Sequence, residues 1–377
     1  MIGLSVAEIA VVPSLRANAA ARAQALGVPT TAWEDWRYVR GTFFPTAPAS
    51  EPSEPLEDLP IINGHHARFW QGAMVDDADL PDGWTLRLTA NDVSDALSDS
   101  LTSEADPSAC LGLAYSPTRW LLTITKSSAK PFTIVNGQIG IGACALNIRI
   151  AAGVTCTLRL QHHLAPTAWS LPRVHLDLGR SAVVTVVETG QTAHAHLLAT
   201  TSADIARDGN LTWTNWCTGG NMVRLSQRVR LLDRGAHADI AAAAHLMGST
   251  QLHHFTRLEH HCGDTTSTQL FRVLLDGEST RSFDGLVSMA KGVEGAHAEQ
   301  QDRNLVLSAK ARTDSRPQLD IHTDEVKAAH GAAIGQLDAD QLLYLRMRGL
   351  DQATAATFLT TAFVREVTDR LPVELRP

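Results

Sequence analysis

Sixteen histidines and five cysteines are the side chains of this 377-residue sequence best suited to holding a transition metal. Their spacing limits what they can do. Cys110, Cys144, Cys156, Cys217 and Cys262 are odd in number, scattered and never in a C-x-x-C pair. That pattern is neither a disulfide framework nor a zinc ribbon, and each thiol taken singly is expected to be a small buried hydrophobe. The histidines include the doublets His65-His66, His162-His163, His253-His254 and His260-His261. Neighbours on a strand project to opposite faces, so a doublet does not chelate as a pair. His194 and His196 share a face and could do so, but no third ligand clusters with them. His330 differs by its context, Ala328-Ala-His330-Gly331, at the point where a strand run gives way to a helical tail. Small neighbours leave the imidazole accessible and let a second backbone approach closely. An imidazole is a competent iron ligand; from the residues alone, a histidine that caps the next helix or fills a boundary is the other reading.

Other chemistries are missing their signatures. There is no G-x-x-x-x-G-K-[ST] to cradle a nucleotide phosphate, and Gly137-Gln-Ile-Gly140-Ile-Gly142 has the wrong spacing for a dinucleotide fingerprint. No G-x-S-x-G elbow and no H-E-x-x-H helix occurs. Any energy source is therefore expected on another subunit. A formal charge of −8 argues against non-specific nucleic-acid binding, which needs cations to neutralise phosphates. Met1–Pro13 is apolar but carries Glu8 and no positive leader, and no apolar run approaches the length of a membrane span. The expectation is a cytoplasmic protein.

The elements that must position these residues read as mainly β. Ser14 followed by LRANAAARAQAL and Gly27 predicts a capped helix, and Trp33-Glu-Asp-Trp36-Arg-Tyr38 forms an aromatic cluster. Pro45–Pro60 is dense in proline and acids, as a solvated linker would be. From about Leu86 to Ile321, period-2 alternation is broken by Gly and Asp turns. A loose unit recurs at Gly153, Gly179, Gly209, Gly235, Gly263 and Gly277; four intervals are about 26 to 30 residues and the last about half that. Turn-then-strand units at such spacing predict stacked coils, in which each coil buries its inner face only against its neighbours. A β-sandwich with hairpins competes. Asn63-Gly64 and Asn136-Gly137 lie outside the repeat, but Asp208-Gly209 and Asp276-Gly277 lie inside it. The pattern favours a β-helix. Towards the end, Asp338 and Asp351 predict two capped helices, the second with Ala355, Phe358, Leu359, Ala362, Phe363 and Val367 on one stripe. The stripe suits packing on the β-helix or docking a partner.

The stretch Ser315–Gly349, SRPQLDIHTDEVKAAHGAAIGQLDADQLLYLRMRG, resembles the C-terminal signature of the SufB/SufD family of iron–sulfur cluster assembly scaffolds, with Asp320 where the family has Glu. Ala296-His-Ala-Glu-Gln300 through Ser308 is similar to a second family element, and Arg281-Ser-Phe283-Asp-Gly285 to a third, with Phe283 one residue early. Phe283 inside a coil and Gln300 or Gln301 in a stacked amide ladder would serve structure. The Trp33–Tyr38 cluster resembles an element near the start of SufD-type chains.

The resemblance implies a right-handed parallel β-helix between helical ends. The corresponding regions are residues 1–60 (helix and Pro-rich linker), 61–321 (β-helix core) and 322–377 (ATPase-docking helices). It implies a SufD-like subunit of the SufBCD complex that pairs with a SufB-type paralogue through exposed end strands. A SufC-type ATPase would dock on the tail, at Tyr344, Arg348, Phe358 and Phe363. His330 would be the cluster-assembly residue and iron ligand at the SufB interface. The iron–sulfur cluster there would be transient, none being held tightly by this chain alone. SufD proteins often carry a cysteine where this chain has Ala328, so a cysteine or glutamate of the partner would have to complete the site. A SufB-like or homodimeric scaffold is the alternative. A β-helical polysaccharide-active enzyme is a remote one, since aromatic residues make up only 5% of the chain.

Overall fold

The computed structural model describes residues 13–39, 44–45, 47–51, 53–54, 59–60, 62–89 and 106–376. It opens with helix α1 (Pro13–Leu26). Proline at the first helical position gives up an N–H that would have no partner anyway, so Ser14 lies inside the helix and not at its cap. Gly27 ends the helix at φ 78, its N–H donating to the Ala23 carbonyl at 2.9 Å. The apolar start Met1–Val12 lies outside the described residues, as do positions 46, 52 and 55–58 of the Pro-rich stretch.

A hairpin of β1 (His66–Trp70) and β2 (Ala73–Met74), a strand β3 (Trp84–Leu88) and a buried helix α2 (Pro107–Tyr115) lead into the main body. That body continues as β4 (Arg119–Ile124), β5 (Phe132–Gln138), β6 (Ile141–Gly142), β7 (Ala145–Ile150), β8 (Thr155–Leu164), β9 (Trp169–Ser170) and β10 (Arg173–Leu178). The long strands β11 (Val183–Ile205) and β12 (Asn210–Leu231) follow, then β13 (His237–Leu246), β14 (Gln251–His260) and β15 (Thr266–Leu275). The last strands are β16 (Thr280–Met289), β17 (His297–Val306), β18 (Arg312–Ile321) and β19 (Lys327–Gly335).

The pairing is that of a parallel β-solenoid. One sheet runs β5, β8, the first half of β11, the first half of β12, then β13, β15, β17 and β19. The other runs β4, β7, β10, the second halves of β11 and β12, then β14, β16 and β18. In-register stacking aligns inward side chains into columns. Leu176, Ala203, Val229, Leu258, Val287 and Leu319 follow one another rung by rung, and all but Leu319 are buried. No single coil could bury such a face alone, which is why the fold is a stack.

The repeat is now explained, including its irregular end. Gly153, Gly179, Gly209, Gly235 and Gly263 each sit in the corner that precedes a strand of the first sheet. Gly277 precedes β16, in the second sheet, so its interval is half a coil; Gly295, before β17, continues the first series. Space explains the residue type. A Cβ on Gly179 would lie 2.7 Å from the Ala152 nitrogen, and one on Gly277, at φ 68, would lie 2.9 Å from the Gly248 backbone. Asp208-Gly209 and Asp276-Gly277 are thus corners between parallel strands, not hairpins, and Asn136-Gly137 lies within β5.

The solenoid continues past Ile321 by one strand, β19, built mainly from alanine and glycine. Two helices follow, α3 (Ala339–Met347) and α4 (Gln352–Thr368). Asp338 caps the first through the Asp340 and Gln341 N–H groups, and Asp351 caps the second through Thr354, as their positions predict. Gly349, at φ 96, makes the bend between them. Among the described residues no helix is long and apolar enough to cross a membrane.

Candidate functional site

The C-terminal end of the solenoid is open. Strand β19 pairs only with β17 and β18 only with β16, so among the described residues each has one unpaired edge. Unpaired N–H and C=O groups in a row are a template for another strand. His330 lies in the middle of β19, exposed, and its register partner on β17 is the buried Gln300. A cavity of about 340 Å³ is lined by residues 299–301, Arg303 and the Ala329–Ala333 run of β19, His330 included. Alanine and glycine on both sides of the imidazole leave this space, as their sizes require.

The floor below β19 is polar. Gln300 has no hydrogen-bond partner for either amide atom, and the Gln269 oxygen one rung further in is taken by the Thr256 hydroxyl at 2.6 Å. The expected ladder of mutually bonded amides is therefore absent; the glutamines are in register but their amides do not join. Beside them, Arg281 and Asp302 form a fully buried ion pair, Nη1 to Oδ2 at 2.9 Å and Nη2 to Oδ1 at 2.7 Å. Asn304 and Ser315 donate to the same carboxylate at 3.0 and 2.6 Å. All three donors converge on Oδ2, whereas Oδ1 and the Arg281 Nε and Nη2 make no well-aligned hydrogen bond. The pair therefore rests on charge attraction in a dry setting, where removing either partner strands the other. Asp302 was not among the residues singled out from sequence. Its signal was parity: it falls on the inward register of the alternation, where a lone carboxylate is out of place.

Phe283 is fully buried against Phe271, ring centres 4.7 Å apart, as expected for a residue inside a coil. The histidine doublets split between faces and roles. His162 is buried and bonded to Glu188 at 2.9 Å. His260 is buried between Thr265 and Ser267, whereas His261 is exposed beside Glu259. At His194 the alternation fails: φ is 59 and the register between β11 and β12 slips there, while His196 stacks on Trp169 at 4.0 Å. Burial pushes the Cys144 and Cys156 thiols up to about 12, and Cys110 and Cys217 are also buried. Only Cys262 is partly exposed. No thiol of this chain lies on β17, β18 or β19.

Helix α4 is fastened to the first sheet. Val364 and Val367 pack with Ala241, Ala243, Leu270 and Leu274, and Phe363 lies partly buried against the same cluster. Glu366 accepts from Arg272 Nε at 2.7 Å and Nη2 at 2.8 Å. The predicted stripe is thus divided: Val367 and Phe363 turn to the solenoid, while Phe358 and Ala362 remain exposed. Leu343, Tyr344 and Met347 of α3 and Phe358 of α4 are each more than half exposed, and the Arg348 guanidinium lies 5.1 Å from the Tyr344 ring. At the other end of the chain, Trp36 is buried under the Arg224 guanidinium at 4.2 Å, and Asp35 bonds Arg257 at 3.1 Å. The aromatic cluster near the start therefore clamps the N-terminal segment onto the second sheet.

A parallel solenoid with one open end, a buried polar floor and a helical appendage defines the class of protein. Residues 136–363 match the family described as SUF system FeS cluster assembly, SufBD core domain. That is more than half of the chain, and the chain belongs to this family. It is 24% identical over 368 residues to the iron–sulfur cluster assembly protein SufD of Escherichia coli (strain K12), covering 92% of this chain and 86% of that one. It is also similar to an iron–sulfur cluster assembly SufBD family protein of Synechocystis, 32% identical over 202 residues, covering 52% and 44% of the two chains. The SufD protein of Bacillus subtilis is 31% identical over 170 residues, covering 45% and 38%.

Proposed function

We propose that this chain is a SufD-type, non-catalytic subunit of a cytoplasmic iron–sulfur cluster assembly complex. The observation that carries the reading is the open end: β18 and β19 present unpaired edges, and the exposed His330 stands on the outermost strand. A SufB-type paralogue pairs there, edge to edge, with main-chain hydrogen bonds supplying affinity. His330 then offers one imidazole to iron at the shared boundary. With Ala328 beside it and the chain's thiols elsewhere, the paralogue supplies the cysteine or glutamate that completes the donor set. The cluster is cargo, assembled at the boundary and passed on.

The exposed surface of Leu343, Tyr344, Met347 and Phe358, with Arg348, is the docking face for a SufC-type ATPase. Phe363, the other docking residue expected on this tail, is partly buried against the solenoid and offers a partner only its remaining exposed edge. ATP-driven closure of two such ATPases would then shift the edge pairing and expose the His330 side. Co-expression with SufB-type and SufC-type partners tests the reading. A heteromeric complex that loses only the ATPase when residues 338–377 are deleted is expected, and His330→Ala should lower cluster yield while the complex still assembles. A chain that stays alone or only self-associates overturns the heteromeric assignment and favours a homodimeric scaffold.

A further inference from the structure

We infer that the outer face of β10 and β11 carries a divalent transition-metal site made by His175, Asp177 and Asp204. His175 and Asp177 are two residues apart on one strand and therefore share a face. Asp204 is the register partner of Asp177 one rung on, and Ser202 that of His175. One nitrogen of the imidazole and one oxygen of each carboxylate lie within 4.8 Å of one another.

His175 is the telling group. Its side chain is 3% exposed, and Nδ1 lies 2.8 Å from the Ser202 hydroxyl. The serine hydroxyl can accept as well as donate, and in the tautomer where Nδ1–H donates to it, Nε2 carries the lone pair. It has no hydrogen-bond partner, and it faces Asp177 Oδ1 at 3.6 Å and Asp204 Oδ2 at 4.0 Å. In that tautomer three acceptors converge on one point. Separations of this size suit a common cation, since metal–ligand bonds of about 2.1 Å place neighbouring donors roughly 3 to 4 Å apart. The serine acts as the outer partner that fixes the ring's tautomer and orientation.

One nitrogen and two carboxylates favour zinc, manganese or ferrous iron over calcium or magnesium, which prefer all-oxygen shells. The two carboxylates balance the ion's charge. Arg230 competes: its Nε and Nη2 reach Asp204 Oδ1 and Oδ2 at 2.6 and 2.5 Å. Arg149 is more remote, 3.9 Å from Asp177 Oδ2. Each carboxylate oxygen has two lone pairs, so Asp204 can serve both the ion and Arg230, at reduced affinity.

The test is calorimetric titration of the chelator-stripped, full-length protein with Zn²⁺ and Mn²⁺, with Mg²⁺ as control and Co²⁺ absorption as a spectroscopic check. The expected result is one site per chain that weakens at least about tenfold in Asp177→Asn and His175→Ala and tightens in Arg230→Gln. Asp177 is half exposed, so its variant tests the site even where the histidine variant does not fold. No binding, or binding unchanged in Asp177→Asn, overturns the site and leaves a buried histidine packed beside two carboxylates.

Discussion

His330 is the in-register partner of Gln300, so an exposed imidazole on the last strand stands above a buried amide with no hydrogen-bond partner. An unbonded amide in the dry interior is a cost, and replacing it with an apolar group of similar shape removes that cost. Gln300→Leu should therefore leave stability within about 1 kcal/mol of the parent or raise it. Urea unfolding measures this. A loss well beyond that figure would show that the amide is bonded in solution, through water or through His330.

The Arg272–Glu366 pair ties α4 to β15, with the arginine side chain at 0% exposure and the glutamate half exposed. Glu366→Ala strands a buried guanidinium and should cost about 2 kcal/mol. The Arg272 guanidinium holds the Glu366 carboxyl below its usual value of 4.5. A depressed carboxylate stabilises the fold above its unfolded pKa, so this contribution fades as pH falls below 4.5. Limited proteolysis of the tail against pH, in parent and variant, follows it directly.

Buried neutral histidines set a second pH dependence. Burial first, then the charge of Arg224, lowers His253 to about 3, and burial with His261 lowers His260 to about 4. The unfolded chain binds protons near 6.5 where the folded chain does not, so stability is full above that pH and declines towards pH 4. Melting temperature should fall with steepening slope below pH 6.5, and His260→Gln should flatten part of it. An unchanged slope would sink the assignment.

Four of the five thiols are buried, and two are pushed up to about 12. Native labelling with a thiol reagent at pH 8 should modify Cys262 alone, with the other four reacting only after unfolding. Mass spectrometry of the labelled peptides decides the matter. Rapid native labelling of Cys144 or Cys156 would contradict the burial described.

The two faces of α4 should answer differently. Phe358→Ser, at an exposed site, should move stability by less than about 0.5 kcal/mol yet weaken ATPase capture. Val367→Ala, in the cluster with Leu270 and Leu274, should cost about 1 to 2 kcal/mol. Thermal melting and a pull-down on the same two proteins separate the roles.

Much of this was legible in the residues. Period-2 alternation with glycine corners at coil spacing favours a stack of parallel rungs over a sandwich, because stacking buries the inner faces; the structure adds that a Cβ has no room at corners such as 179 and 277. The caps at Asp338 and Asp351 are local hydrogen-bond chemistry and were equally readable. The tertiary structure decided what depends on register between rungs. It put Asp302 against Arg281, split the α4 stripe between solenoid and solvent, left the glutamine amides unjoined, and brought Asp204 beside His175 and Asp177. Those residues lie about twenty or more positions apart, and their meeting is set by how each coil closes on the next, which no local pattern of residues encodes.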